Sequence, residues 1–68
     1  MVRYLVTRQS AADGERFGIA VLDGQDTVDG IDDVAPTLQQ TTALAAFLQE
    51  NGVAAVHFRD VLEDWLAR

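Results

Sequence analysis

The residues whose types and spacing could do chemistry are His57, Asp60 and Asp64, in the stretch "HFRDVLEDWLAR". Residues three, four and seven apart share one face of a helix, so this spacing would gather one imidazole and two carboxylates. Such a cluster could bind a metal ion or a small ligand. The sequence has no second histidine and no cysteine to complete a transition-metal site, so the metal interpretation is the weaker one.

The stronger interpretation of the same residues is a helix start. The first backbone N–H groups of a helix lack partners, and acceptors or negative charge in the first turn satisfy them. With His57 as the N-cap, Asp60 takes the N3 position of a capping box. Asp64 and Arg68 are also spaced for an i,i+4 ion pair. We therefore predict that the stretch begins a helix and holds neither a metal nor another cofactor.

The rest of the sequence lacks the residue sets that catalysis requires. Ser10 has no activating base patterned around it. The aspartates of "DGQDTVDGIDD" do not fall at the positions of a helix-loop-helix calcium loop. Gly14 and Gly18 do not form a phosphate-binding loop, and Gly18 more simply predicts a close approach of backbone across a sheet. We expect a protein that is not an enzyme.

Composition restricts the remaining function classes. The 68 residues allow one small domain, and 11 acidic against 5 basic residues give a formal net charge of −6. That balance argues against nucleic-acid binding, because phosphates would be repelled. The opening "MVRYLVTR" contains no long apolar run, so we expect neither a signal peptide nor a membrane span, and a cytoplasmic location.

The first half of the sequence predicts an antiparallel sheet. Residues 2–8 and 16–22 alternate in the manner of strands, and Asp13-Gly14 and Asp23-Gly24 are turn signals between and after them. A short edge strand is predicted within residues 26–34. Its acidic side chains would discourage pairing with other chains: Asp26, Asp29, Asp32 and Asp33.

Two helices are predicted in the second half. The first has Pro36 in its first turn and ends at Asn51-Gly52. Its apolar stripe contains Leu38, Thr41, Leu44, Ala45 and Leu48, and that of the second contains Phe58, Val61, Leu62, Trp65 and Leu66. The fold class is therefore α+β, a three-stranded antiparallel β-meander with two C-terminal helices packed on one face, in the order β-β-β-α-α.

A candidate interaction surface follows from this arrangement. If the helices cover the face with Tyr4, Phe17 and Ile19, the opposite face is more apolar than a solvated sheet face usually is. Small and apolar groups rimmed by arginines are typical of a modest interface. We predict that this face forms a homodimer or docks a partner protein, although an ordinary half-apolar surface fits the same pattern. Its residues are Arg3, Leu5, Arg16, Ala20 and Leu22.

The order of these signals resembles a family of very small uncharacterised bacterial proteins, recorded only as a domain of unknown function. The family shows a Tyr-Gly-Ile strand and an ending like Ile-His-Leu-x-Asp-Val-Val-Glu-Asp-Phe-Leu. This chain has Phe17 for the tyrosine, Trp65 for the phenylalanine, and Ala54-Ala55 where members often have Ser-Pro. The resemblance implies no activity, cofactor or partner. The ending matches at His57, Asp60, Val61, Glu63, Asp64 and Leu66.

Overall fold

The computed structural model describes residues 1–35 and 37–67, and it confirms the predicted order β-β-β-α-α. One antiparallel sheet has the strand order β1-β2-β3. Both helices follow the sheet in the chain. The place predicted for Pro36 and the predicted Asp64–Arg68 pair lie outside the described residues. The elements are β1 (Val2–Ala11), β2 (Gly14–Asp23), β3 (Asp26–Ala35), α1 (Leu38–Glu50), a 3₁₀ turn (Ala55–His57) and α2 (Phe58–Leu66).

The hairpin of β1 and β2 is longer than the apolar pattern predicts. Pairing runs without a bulge from Val2 opposite Asp23 to Ala11 opposite Gly14. The alternation of apolar side chains stops near Arg8, but the backbone ladder continues through polar residues. Hydrophobic patterning therefore locates the buried part of a strand, whereas the hydrogen-bond ladder sets its length.

The prediction of a short third strand is wrong, because β3 spans ten residues. Its pairing with β2 is irregular between Phe17 and Ile19 and again between Val21 and Leu22. These bulges accommodate extra residues of β3, which is why its pattern is hard to recognise in the sequence. The close backbone approach predicted at Gly18 is confirmed: an added Cβ would overlap the carbonyl oxygen of Ile31.

The core forms between one face of the sheet and the two helices. Tyr4, Ile19 and Val21 from the strands meet side chains of both helices, so each layer contributes apolar surface to a single cluster. The rings of Tyr4 and Phe58 lie 5.8 Å apart, centroid to centroid. The helical members of this cluster are Leu44, Ala45, Leu48, Phe58 and Leu62.

The helical stripes are confirmed except at their ends. Thr41, Leu44, Ala45 and Leu48 of α1 are buried, as are Phe58 and Leu62 of α2, while Val61 and Trp65 are partly buried. Two residues predicted to be buried are exposed: Leu38 by 44% and Leu66 by 53%. Leu38 is the first residue of α1 and Leu66 the last of α2, so they extend beyond the layer that covers them.

Side-chain and backbone signals fix the ends of α1. Thr37 is the N-cap in extended backbone, and its hydroxyl oxygen accepts a 3.2 Å hydrogen bond from the Gln40 N–H. The predicted stop at Asn51-Gly52 is confirmed, with Gly52 in the left-handed region at φ 58°. In the described part of the chain, neither helix has the length and apolar character that crossing a bilayer requires.

Candidate functional site

The five residues predicted as an interaction surface lie on the sheet face opposite the helices. The register pairs Arg3 with Leu22 and Leu5 with Ala20, and these residues alternate with the buried Tyr4 and Val21. We call this surface the helix-free face. It consists of Arg3, Leu5, Thr7, Arg16, Gly18, Ala20 and Leu22.

The helix-free face is shallow and partly apolar. Leu5 is 45% exposed, and Ala20 and Leu22 are partly exposed. Ala20 is flanked across the sheet by Leu5 on β1 and Gly30 on β3, so little side-chain volume rises around it. Val28, in the irregular stretch of β3 opposite Val21 and Leu22, is 50% exposed. Apolar groups here are thus accessible on a low surface.

The two arginines at the rim differ in their charge partners. Arg16 lies 2.6 Å from the Asp13 carboxylate and 3.6 Å from that of Asp33, so its charge is compensated within the chain. Arg3 is exposed and has no ion pair among residues 1–35 and 37–67. Arg3 is therefore the rim cation available to an acidic group of a partner.

One end of the β1 edge is closed by a side chain that sequence reasoning missed. The Tyr4 N–H donates to Gln49 Oε1 at 3.1 Å, and Gln49 Nε2 donates to the Val2 carbonyl at 3.2 Å. The amide of Gln49 thus takes the place of a peptide group of a neighbouring strand. Nothing in the sequence signals this contact, since it joins residues 45 and 47 positions apart.

Tyr4 also anchors the chain after α1. Its phenol O–H donates to the Val53 carbonyl at 2.5 Å, while its ring lies in the core. Burial raises the pKa of this phenol above its usual value of 10.0, because the charged form would lose solvation. The tyrosine of the first strand therefore has a structural role that connects the sheet to the segment leading into α2.

The start of α2 agrees with the prediction in position, with His57 as the N-cap and Asp60 in the first turn, but not in its side-chain bond. His57 makes no side-chain capping bond, and its backbone N–H donates to the Ala54 carbonyl at 2.9 Å. Its φ of −99° and ψ of −1° are close to helical, whereas an N-cap side chain reaches back from extended backbone. The 3₁₀ turn before α2 takes over the role of a cap. Ala54 makes no side-chain bond to this turn either.

His57, Asp60 and Asp64 do share one face, as their spacing predicts. All three are exposed and line an open cavity of about 470 Å³ between the start of α2 and the end of α1. Within residues 1–35 and 37–67, no three histidine, cysteine or acidic side chains are grouped so as to hold a metal ion. One side of the cavity thus carries an imidazole and two carboxylates.

A second contact that sequence reasoning missed joins α2 to β3. Arg59 Nε and Nη2 donate to the two carboxylate oxygens of Asp29 at 3.1 and 2.8 Å. These hydrogen bonds from Arg59, and a further one from the Gly30 N–H, hold the pKa of Asp29 below its usual value. Asp29 was predicted only as a charge that guards an edge, whereas it also fixes the position of α2.

The sequence of this chain matches a known protein family. The model of a family of unknown function, DUF6514, matches residues 1–68, which is the whole chain. The chain belongs to DUF6514. Neither the curated proteins nor the solved structures include one that matches it. Membership in DUF6514 confirms the predicted resemblance to a family of unknown function, and it assigns no activity to any of the residues described above.

Proposed function

We propose that this protein is a non-catalytic protein–protein interaction or regulatory module that binds its partner through the helix-free face. The observation that supports this most directly is the exposed Leu5 beside the small Ala20 on a sheet face that no helix covers. Antiparallel sheets that face water are usually polar on that side. We place this function in the bacterial cytoplasm.

The chemistry of the face indicates the kind of partner. An interface combines an apolar centre with a polar rim, and here Leu5, Ala20 and Leu22 provide the centre. Arg3 provides a cation at the rim without a partner inside the described chain. A flat, partly apolar partner surface with a carboxylate at its edge would fit, and nucleic acid would not, given the net charge of −6.

Charge substitutions on the face test the proposal. Leu5→Glu and Leu22→Glu should prevent the interaction, because each places a carboxylate at the apolar centre. Leu38→Glu is the matched control, since Leu38 is 44% exposed against 45% for Leu5 and lies at the start of α1. Light scattering at micromolar concentration measures self-association, and affinity purification from the native host measures capture of other proteins.

The pattern across the three variants decides the result. Proteins retained by the wild type and Leu38→Glu but lost with both face variants support the helix-free face. Equal retention by all four proteins, each shown by circular dichroism to be folded, would contradict it. If all four proteins are monomeric and capture the same proteins, the helix-free face is an ordinary solvated surface.

A binder of a metal ion or small ligand is the second candidate function. It is favoured by the single cavity wall that carries His57, Asp60 and Asp64. Calorimetric titration with Zn²⁺, Mn²⁺ and Mg²⁺ tests it on the wild type and on His57→Ala. Heat of binding that disappears with the substitution supports the ligand site. An absence of binding heat in both proteins contradicts the metal version of this candidate.

A further inference from the structure

The outer edge of β1 is half open. In an antiparallel strand, alternate residues direct both backbone N–H and C=O away from the neighbouring strand. The bonds of Gln49 to the Tyr4 N–H and the Val2 carbonyl show that the even-numbered residues of β1 direct their backbone N–H and C=O groups away from β2. The outward backbone groups of Val6, Arg8 and Ser10 accept and donate no hydrogen bond among the described residues.

The other sheet edge is protected. β3 is bulged at two places, which disturbs its outer row of backbone groups, and Arg59 Nη2 approaches the Gly30 carbonyl at 3.5 Å. Its aspartates add negative charge. Bulges and charge are the devices by which natural sheets prevent edge pairing. β1 has no bulge and no acidic residue, so the two edges differ in the features that control strand addition.

We propose that two copies of this chain associate through their β1 edges, antiparallel, with Arg8 of one copy opposite Arg8 of the other. Val6 of each copy then pairs with Ser10 of the second copy. We call the two hydrogen bonds of Gln49 to β1 the Gln49 block. Every free outward backbone group between this block and the hairpin receives a partner in this register. The result is a continuous six-stranded sheet.

The Gln49 block selects this register among its neighbours. If the second copy shifts toward the start of β1, to the next register in which outward-facing residues meet, Ser10 comes to lie opposite Tyr4. The Tyr4 N–H already donates to Gln49. Sliding by one step toward the hairpin would leave the groups of Val6 unpaired. Unpaired backbone groups inside an interface cost free energy comparable to lost hydrogen bonds, so the register centred on Arg8 is preferred.

Charge also fits the proposed pairing. The two central arginines are each compensated within their own copy, since Arg8 Nε lies 3.1 Å from the Glu15 carboxylate and its guanidinium lies 5.5 Å from the Phe17 ring centre. The register ends at Leu5 opposite Ala11, which is the last residue of β1.

The pairing has a consequence for the molecular surface. A two-fold axis perpendicular to the sheet keeps both helix layers on one side, and the two helix-free faces join into one surface. The inference does not rest on the proposed function of that face, because it depends only on the edge. It therefore predicts a homodimer even if the helix-free face binds nothing.

Cysteine crosslinking tests the register, and the absence of native cysteine makes each result unambiguous. Residues directly opposite one another lie about 5.5 Å apart at Cα, within the range that a disulfide spans. Arg8→Cys should therefore form a covalent dimer on mild oxidation. Ser10→Cys is the control, because its two copies would lie four residues apart, roughly 13 Å. A mixture of Val6→Cys with Ser10→Cys should crosslink as a heterodimer.

A backbone substitution tests the edge without introducing a thiol. Ser10→Pro removes an outward N–H and is tolerated at a strand edge, so sedimentation should show loss of the dimer while circular dichroism shows a folded chain. Ser10→Thr keeps the N–H and should keep the dimer. A dimer that persists in Ser10→Pro but is lost in Leu22→Glu would overturn the edge and support the face instead. A wild type that stays monomeric, or crosslinking of Ser10→Cys equal to that of Arg8→Cys, would also overturn it.

Discussion

Arg59 on α2 and Asp29 on β3, thirty positions apart in the chain, are joined by two hydrogen bonds from one guanidinium to both oxygens of one carboxylate. The contact gives the short α2 a polar attachment to the sheet beside its apolar one through Phe58 and Leu62. It also shields the Gly30 carbonyl at the β3 edge. One ion pair thus positions a helix and protects a strand.

This pair should make the stability of the fold depend on pH in acid. The pKa of Asp29 in the folded chain lies below the ordinary 3.8, because Arg59 and the Gly30 N–H stabilise the carboxylate. Between the two pKa values the unfolded chain binds more protons than the folded chain does. The stabilisation of the fold by ionised Asp29 is therefore complete above pH 3.8 and is lost as the pH falls through the pKa of Asp29 in the folded chain. Asp29→Asn should lower stability at neutral pH and remove this acid-dependent part, as measured by urea denaturation across that range.

Asp32→Asn provides the matched control for the pH experiment. Asp32 is an exposed aspartate of the same strand, and its side chain has no hydrogen bond or ion pair among the described residues. Its substitution should leave the pH dependence as in the wild type. Identical denaturation profiles for Asp29→Asn and Asp32→Asn would show that the Arg59 contact contributes nothing.

Gly18→Ala should be the most damaging small substitution in the sheet. An added Cβ would overlap the Ile31 carbonyl oxygen and lie 2.6 Å from that of Asp32. Because these are backbone atoms, β3 would have to separate from β2, at a cost of about 3 kcal/mol or more. Gly30→Ala is the comparison, since its Cβ would lie 3.1 Å from the Ile19 carbonyl oxygen. Thermal melts should show a much larger loss for Gly18→Ala, and equal losses would contradict the close approach.

Thr7→Val should stabilise the protein. The Thr7 hydroxyl oxygen is buried and has no hydrogen-bond partner in the described chain. Replacing it with a methyl group of similar shape removes an unsatisfied polar atom, which is worth about 1 kcal/mol. Thr27→Val, at an exposed position of β3, should change stability far less. Lower stability of Thr7→Val in urea denaturation would show that the hydroxyl is satisfied in solution.

The sequence predicts those parts of the fold that depend on local patterns. Alternation located β1 and β2, the stripe around Leu44 and Leu48 located α1, and Asn51-Gly52 located its end. β3 was predicted too short because its length depends on pairing with β2 through two bulges, which leave no periodic pattern. Long-range pairing of this kind is a tertiary property that a local window does not contain.

The same distinction between local and long-range features applies to the predicted site. The spacing of His57, Asp60 and Asp64 correctly placed them on one face, since helical geometry alone determines this. His57 is the N-cap of α2 as predicted, but the predicted capping bond of its side chain is missing, because that bond depends on a backbone conformation set by the preceding 3₁₀ turn. Thr37, by contrast, stands three residues before Gln40 in a capping-box pattern that the sequence already contains.

The two helix starts should respond differently to the removal of their polar side chains. Thr37→Ala removes the bond from the Gln40 N–H and should destabilise the fold by about 1 kcal/mol. His57→Ala removes no capping bond and should leave stability nearly unchanged. Urea denaturation of both variants at neutral pH compares them directly. A loss at His57 as large as that at Thr37 would indicate that the imidazole supports the start of α2.

Gln49 should control both the stability of β1 and the way its edge is used. Gln49→Ala removes hydrogen bonds to the Tyr4 N–H and the Val2 carbonyl, with an expected loss of about 1 to 2 kcal/mol. Gln39→Ala, at an exposed position of α1, is the control for the change in side-chain length. Because the substitution also frees the Tyr4 N–H, the register that opposes Ser10 to Tyr4 becomes available to a second copy. Arg8→Cys should then crosslink less efficiently in the Gln49→Ala background than in the Gln39→Ala background. Unchanged efficiency would show that the register is set by something other than the block at Gln49.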